Sequence, residues 1–264
     1  MTFFRGTAPL LAGLMLLSTA ACSSTRSWSY TPSVRASRDP LIDKSVVIPP
    51  LIDARVNENS NMLMLYMVPL MPYGWASYQT PEGAPMHATS GTWQFQPNED
   101  LAKAIAQELD NRQLFREAFF GFRTSEADLV LRGEIRSTDY EAKMITYGLS
   151  IYGPNLWLLL PAGTFKNELW LDLKLVDQAT EDLLWTGSLR AETGSTFWIY
   201  SLASDFNYDT LLKENLPSLL AEMETAVGEL DVASPPPAEE PPQLEVEVTP
   251  VGSEASDPAE ETSP

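Results

Sequence analysis

The chain has 264 residues and a formal net charge of −19, with 44% hydrophobic residues, 20% charged residues, one Cys and one His. That composition is globular and allows one sizeable core, and it excludes a collagen, a coiled coil or a wholly disordered chain. A lone Cys and a lone His exclude a disulfide scaffold and a Cys/His zinc site, and the excess of acid argues against nucleic acid, whose phosphates are neutralised by Lys and Arg.

Residues 1–21 read as a signal peptide. Arg5 supplies the positive start, and the apolar run 10–21 ends in small residues before Cys22. That run is too short for a permanent spanning helix, which needs about 20 residues. The tetrad Thr19-Ala20-Ala21-Cys22 resembles the lipobox of bacterial lipoproteins, with Thr19 in place of the usual Leu. The resemblance implies cleavage before Cys22 and acylation of its thiol, hence a membrane partner reached through a lipid anchor. Ser23, where an Asp would retain the protein at the inner membrane, implies the outer membrane, facing the periplasm, with the cell surface as an alternative. Several acyl chains anchor firmly without a transmembrane helix. The competing reading is a secreted protein cut after Ala21, with Cys22 a free thiol.

Next comes a segment, 22–44, rich in Ser, Thr and Pro and carrying Arg26, Arg35, Arg38 and Lys44. It reads as a flexible tether that places the body roughly 25 Å from the lipid. At the other end, 233–264 holds eight prolines and eight acids with no Lys or Arg. It reads as a disordered acidic tail, since it has too little apolar surface to offset its ordering entropy.

Between them, 45–232 reads as a single α+β domain. Val46-Val47-Ile48 is a short strand stopped by Pro49-Pro50. Asn98 is the expected N-cap of a helix with Leu101, Ile105 and Leu109 on one face, running to about Leu114. Period two then takes over: Leu129, Leu131, Gly133 and Ile135, and later Leu169, Leu171, Leu173 and Leu175. The turn 177–182 folds 184–191 back as a second hairpin arm. A final stripe of Leu212, Leu216, Leu219, Leu220, Met223, Val227 and Leu230 predicts a last helix, begun near Asn215 because Pro217 suits a first turn. The expected architecture is an α/β sandwich: one mostly antiparallel sheet, helices packed on one face, two long apolar loops and the acidic tail.

Those two loops are 59–81 and 144–165, neither of which contains a charged residue. Pro69 and Pro72 interrupt the first, and Gly148, Gly153, Pro154, Pro161 and Gly163 the second, so neither is a spanning helix. Met and aromatic side chains suit an adaptable contact surface. The candidate partner-binding residues are Met64, Met67, Met71, Trp75, Leu156, Trp157 and Leu159. The alternative is that both loops fold back over the core. Charged substitutions at Trp157 and Leu159 separate the two, because they unfold a buried segment and leave an exposed one folded.

Catalytic chemistry is not legible. His87 lies in a Pro- and Gly-rich loop and is expected to face solvent, three residues from Ser90. Asp139/Glu141 and Asp177/Glu181/Asp182 lack calcium-loop spacing, and no phosphate-binding glycine loop is present. The expectation is no enzyme, no cofactor and no metal site.

The stretches Leu114-Phe115-Arg116-Glu117, Ala127-Asp128-Leu129-Val130-Leu131-Arg132-Gly133-Glu134-Ile135, Leu175-Val176-Asp177 and Leu184-Trp185 resemble bacterial envelope lipoproteins with the fold of the TolB amino-terminal domain. The curli secretion lipoprotein and the penicillin-binding-protein activators are similar. The resemblance spans about 90 residues and implies a non-enzymatic accessory protein that docks on envelope machinery or self-assembles. The expected function is a lipid-anchored periplasmic accessory protein of the outer membrane that binds an envelope protein partner, or copies of itself, through the apolar loops. A carrier or sensor of an apolar ligand such as lipid is the alternative, and a hydrolase using His87 a third.

Overall fold

Alternating apolar and polar residues put most of this chain into strands. The structure, a computed structural model, describes residues 25–201 and 203–233. The expected signal peptide, Cys22 and the acidic tail from 234 onward lie outside the described residues. In chain order the elements are β1 (Thr25–Ser27), β2 (Ile42–Ile48), β3 (Ile52–Asp53), β4 (Asn59–Met62), β5 (Tyr73–Tyr78), β6 (Thr92–Gln94), α1 (Pro97–Arg112), β7 (Phe115–Phe120), β8 (Leu129–Ser137), β9 (Tyr140–Ile145), β10 (Gly163–Asp177), β11 (Leu183–Phe197) and α2 (Tyr208–Ala233). Short 3₁₀ segments at Leu63–Met67 and Ser150–Leu158 lie in the two uncharged stretches.

Strand β10 is the spine of a nine-stranded sheet. β11 runs antiparallel along one edge for its whole length. The other edge is shared, because Gly163–Asn167 pairs with β9 and Trp170–Asp177 with β8. β9 continues to β5 and β4, and β8 to β2 and β7. The period of two sends Leu169, Leu171, Leu173 and Leu175 into the core, where Leu101, Ile105 and Leu109 of α1 and Leu212, Leu216, Leu220 and Met223 of α2 join the same cluster. On the opposite face Arg190 lies 4.9 Å over the Trp170 ring and Arg136 reaches Asp172 at 2.8 Å. A small second cluster of Val47, Ala127 and Val130 sits apart from the main core.

This corrects the expected α+β architecture with a mostly antiparallel sheet. Strands dominate, with two α-helices among the described residues, and the sheet is mixed. Of nine strand pairings four are parallel: β2 with β7, β2 with β8, β3 with β8, and β1 with β6 as a separate ribbon. Parallel partners must lie far apart in sequence, so local alternation does not disclose them.

Three local expectations also change. Helix α1 begins at Pro97, one residue before the expected cap, and the Asp100 carboxylate accepts the Gln96 amide at 2.7 Å. α2 begins at Tyr208 and carries Pro217 inside it. The missing N–H of Pro217 is tolerated there, while its carbonyl accepts from Arg112 at 2.8 Å. The expected tether is held on the body from Thr25 onward. β1 pairs with β6, Trp28 stacks on Phe95 at 5.2 Å, and Glu108 accepts both the Tyr30 hydroxyl at 2.7 Å and the Ser33 amide at 2.8 Å. Ser, Thr and Pro dominate this segment's composition, but two aromatics are enough to dock it.

Candidate contact surface

The register of β5, β9, β10 and β11 brings the two uncharged stretches to one end of the sheet. Tyr73 is opposite Ile145, Met144 opposite Gly163, and Gly163 opposite Phe197. Beyond this line the chain leaves the sheet as 63–72, 146–162 and the turn 198–201. Backbone hydrogen bonds fasten them. Pro72 accepts from Thr146 at 2.8 Å and from Tyr147 at 3.1 Å, Gly148 accepts from Leu70 at 3.1 Å, and Ala162 donates to Phe197 at 2.9 Å. The Ser150 hydroxyl donates to the Met67 carbonyl. Two glycines permit this closeness, since a Cβ on Gly74 would stand 1.9 Å from the Leu63 carbonyl oxygen and one on Gly153 2.6 Å from the Thr146 backbone.

Polar backbone is therefore tied inward, and apolar side chains face out. Leu70 is 88% exposed, Leu159 79% and Met64 57%, with Met67, Leu149, Ile151, Tyr152, Leu158 and Leu160 exposed around them. Leu70, Tyr147 and Ser150 hold positive φ angles of 68°, 59° and 50°, a strained backbone that is concentrated here.

The predicted site residues divide. Met64, Met67 and Leu159 are exposed, while Met71, Trp75, Leu156 and Trp157 are half-buried. Trp157 packs against the core and donates its indole N–H to the Ile145 carbonyl at 2.6 Å, so it is a bolt under the surface and Leu159 is part of it. Trp75 lies edge-on to Tyr73 at 6.2 Å, with the Lys143 ammonium 5.7 Å from the Tyr73 ring. One part was missed: Ile199 and Tyr200 are exposed at the same end, with Trp198 stacked on Tyr200 at 5.7 Å. A partial signal was present, because 193–204 also has no charged residue, as has 83–98, which packs elsewhere.

His87 is the second correction. Instead of facing solvent it is buried, stacked on Trp93 with ring centroids 3.7 Å apart and edge-on to Tyr78 and Tyr140. Neither ring nitrogen has a partner in good hydrogen-bond geometry, and burial pushes the imidazole pKa down to about 4 against the opposing effects of the Asp205 charge and the Pro81 carbonyl. Asp205 is itself buried and accepts from the Thr89 amide at 3.0 Å, the Tyr140 hydroxyl at 2.9 Å and the Ser90 hydroxyl. The Ser90 hydroxyl thus meets the Asp205 carboxylate. The Asp177 carboxylate accepts the Ala179 and Thr180 amides and pairs with Lys44, which holds it below the usual range as a hairpin cap. Among the described residues no group of three His, Cys, Asp or Glu side chains is arranged to hold a metal, and no helix is long and apolar enough to cross a membrane.

No family model matches the chain, and no curated protein matches it. Among solved structures it is similar to protein XCC0632 of Xanthomonas campestris, described with the family DUF330, at TM-score 0.44 and 9% identity over 79% of this chain and 98% of that one. It is also similar to a PelC dodecamer from Paraburkholderia phytofirmans, at TM-score 0.36 and 10% identity over 72% and 94%. A neuraminyllactose-binding hemagglutinin homologue from Helicobacter pylori is similar at TM-score 0.29 and 11% identity over 78% and 90%. Likenesses this distant carry no functional argument.

Proposed function

We propose that this chain is a lipid-anchored, non-catalytic accessory protein on the periplasmic side of the bacterial outer membrane. In this reading it binds a protein partner, or a second copy of itself, through the apolar end of its sheet. The observation that carries the reading is the β4 side of that end. Met64 and Met67 are exposed beside an edge strand, all four residues of which are exposed and which among the described residues pairs only with β5. An edge strand offers unpaired backbone groups to another chain, and adjacent Met side chains adapt to its shape. The Thr19-Ala20-Ala21-Cys22 tetrad supports the anchor.

Photo-cross-linking in cells from position 64 tests the partner. A discrete protein adduct, or a cross-linked dimer, is the expected result; capture of lipid alone would favour a carrier instead. Cys22→Ala tests the anchor, and it should move the protein from the membrane fraction to the soluble one.

A further inference from the structure

The docked N-terminal segment fixes the side of the body from which the anchor leaves. β1 runs parallel to β6 with Thr25 opposite Thr92, their hydroxyls 3.2 Å apart. The chain upstream of Thr25 therefore departs on the side of Ser90 and Thr89. Those two residues are bound to the segment that follows the apolar turn. The Thr89 hydroxyl donates to the Ala203 carbonyl at 3.2 Å and the Ser90 hydroxyl to the Asp205 carboxylate, two and four residues beyond the 198–201 turn. Only three peptide steps separate Thr25 from Cys22, a reach of at most about 11 Å. The attachment point is therefore nearer to the apolar end than to the hairpin tip at 177–182: Thr89 and Ser90 bond Asp205, whose partner Tyr140 pairs with Asn167, about 13 Å along β10 from Gly163 and about 33 Å from Asp177.

We infer that the tip of the apolar end, residues 149–152, 158–160 and 199–200, rests in the headgroup layer of the same bilayer that holds Cys22. This rests on the lipid-anchor reading proposed above and gives the body two attachments instead of one. The chemistry of the tip suits that layer. Leu149, Ile151, Leu158, Leu159, Leu160 and Ile199 present hydrocarbon, and Tyr152 and Tyr200 are exposed aromatics with a polar end, the residue type enriched at bilayer interfaces. The three stretches that build the end contain no charged residue, so immersion desolvates no charged side chain of theirs. The backbone N–H groups of Thr146, Tyr147, Leu149, Tyr152, Leu159, Leu160, Trp198 and Ser201 already have carbonyl partners within the end. Lys143 and Lys166, the two charges that bound the 144–165 stretch, stand where anionic headgroups would meet them, Lys166 already paired with Glu192 at 2.7 Å. The Met64 side of the surface, along edge strand β4, remains for the protein partner.

The test places a thiol-linked environment-sensitive fluorophore on the lipidated full chain. The chain is reconstituted in phosphatidylethanolamine and phosphatidylglycerol vesicles that carry a nitroxide on the acyl chain. Acylation occupies Cys22, so the introduced cysteine is the reactive thiol. Leu159→Cys and Tyr152→Cys report the tip, and Ala179→Cys the far hairpin; the two tip positions are exposed and guard against one variant failing to fold. Lipid quenching about threefold stronger at 159 and 152 than at 179 is expected for side chains at interfacial depth. Equal quenching at all three positions overturns the inference. So does a label at 159 that is shielded from both the nitroxide and aqueous iodide, which would mean a protein covers the tip; that result leaves the proposed function standing. If mass spectrometry of the parent chain finds no acyl group on Cys22, the anchor reading itself fails, whatever the quenching shows.

Discussion

His87 is a buried base whose burial outweighs the Pro81 carbonyl and the Asp205 charge that favour its protonated form. The groups facing it are Trp93, Tyr78 and Tyr140, with the Asp205 carboxylate close by. Its folded pKa of about 4 lies below the ordinary value of 6.5. Between those values the unfolded chain binds the extra proton, so stability is fully present above pH 6.5, falls as pH drops from 6.5 to 4 and levels off below 4. The loss approaches about 3 kcal/mol, and the carboxylates of this acidic chain add their own pH dependence. A comparison isolates the histidine. His87→Phe should unfold in urea with a pH 7 to pH 4.5 loss about 2 to 3 kcal/mol smaller than that of the parent; identical losses would mean that the imidazole is solvated. The sequence around His87 reads as an open loop because its burial comes from Trp93, Tyr78 and Tyr140 on three separate strands. No local pattern announces such a convergence.

At the scale of elements, the alternation that marks β8 and β10 reads directly, and so does the turn between β10 and β11. The leucine stripes of α1 and α2 read as well, but α2 starts seven residues before the expected Asn215, because the helix carries Pro217 inside it. Parallel pairing was illegible, because β2 meets β7 and β8 only after α1 has carried the chain back. The uncharged stretches were half legible. Their prolines and glycines exclude a spanning helix, but the fastening of 63–72 onto 146–162 depends on close approaches at Gly74 and Gly153. Gly153→Ala would push a methyl into the Thr146 backbone and lift the Ser150–Leu158 segment. Overpacking of this kind costs about 1 to 3 kcal/mol. The variant should melt lower and expose Trp157 to iodide, whereas Gly83→Ala, with nothing within 4 Å of its new Cβ, should behave like the parent. Unchanged Trp157 quenching in Gly153→Ala would show that the segment is not held against Thr146.

For the molecule as a whole, the docking of residues 25–44 matters most, because it turns a spacer into part of the body. A free coil of that length would hold the domain roughly 25 Å from the membrane and let it turn in any direction. A docked segment holds it at the reach of three residues and in one orientation, on which the two-point attachment depends. Composition alone missed this, since Trp28 and Tyr30 are outnumbered by Ser, Thr and Pro, and Glu108, which receives Tyr30 and Ser33, lies some 75 residues downstream. Proteolysis distinguishes the two arrangements on the native protein. Arg35 pairs with Asp110 at 3.0 Å, Arg38 pairs with Glu224 at 2.9 Å, and the Ala36 amide between them donates to the Asn111 carbonyl at 2.7 Å. A protease needs an extended, released backbone, so trypsin should cut after Arg35 and Arg38 only as fast as the segment detaches. Trp28→Ala, which removes the stack on Phe95, should speed that cleavage at least about tenfold, as a loss of roughly 1.4 kcal/mol or more of docking energy requires. Immediate cleavage of the parent chain at both arginines would restore the flexible tether, and the body would then have no fixed orientation to its membrane.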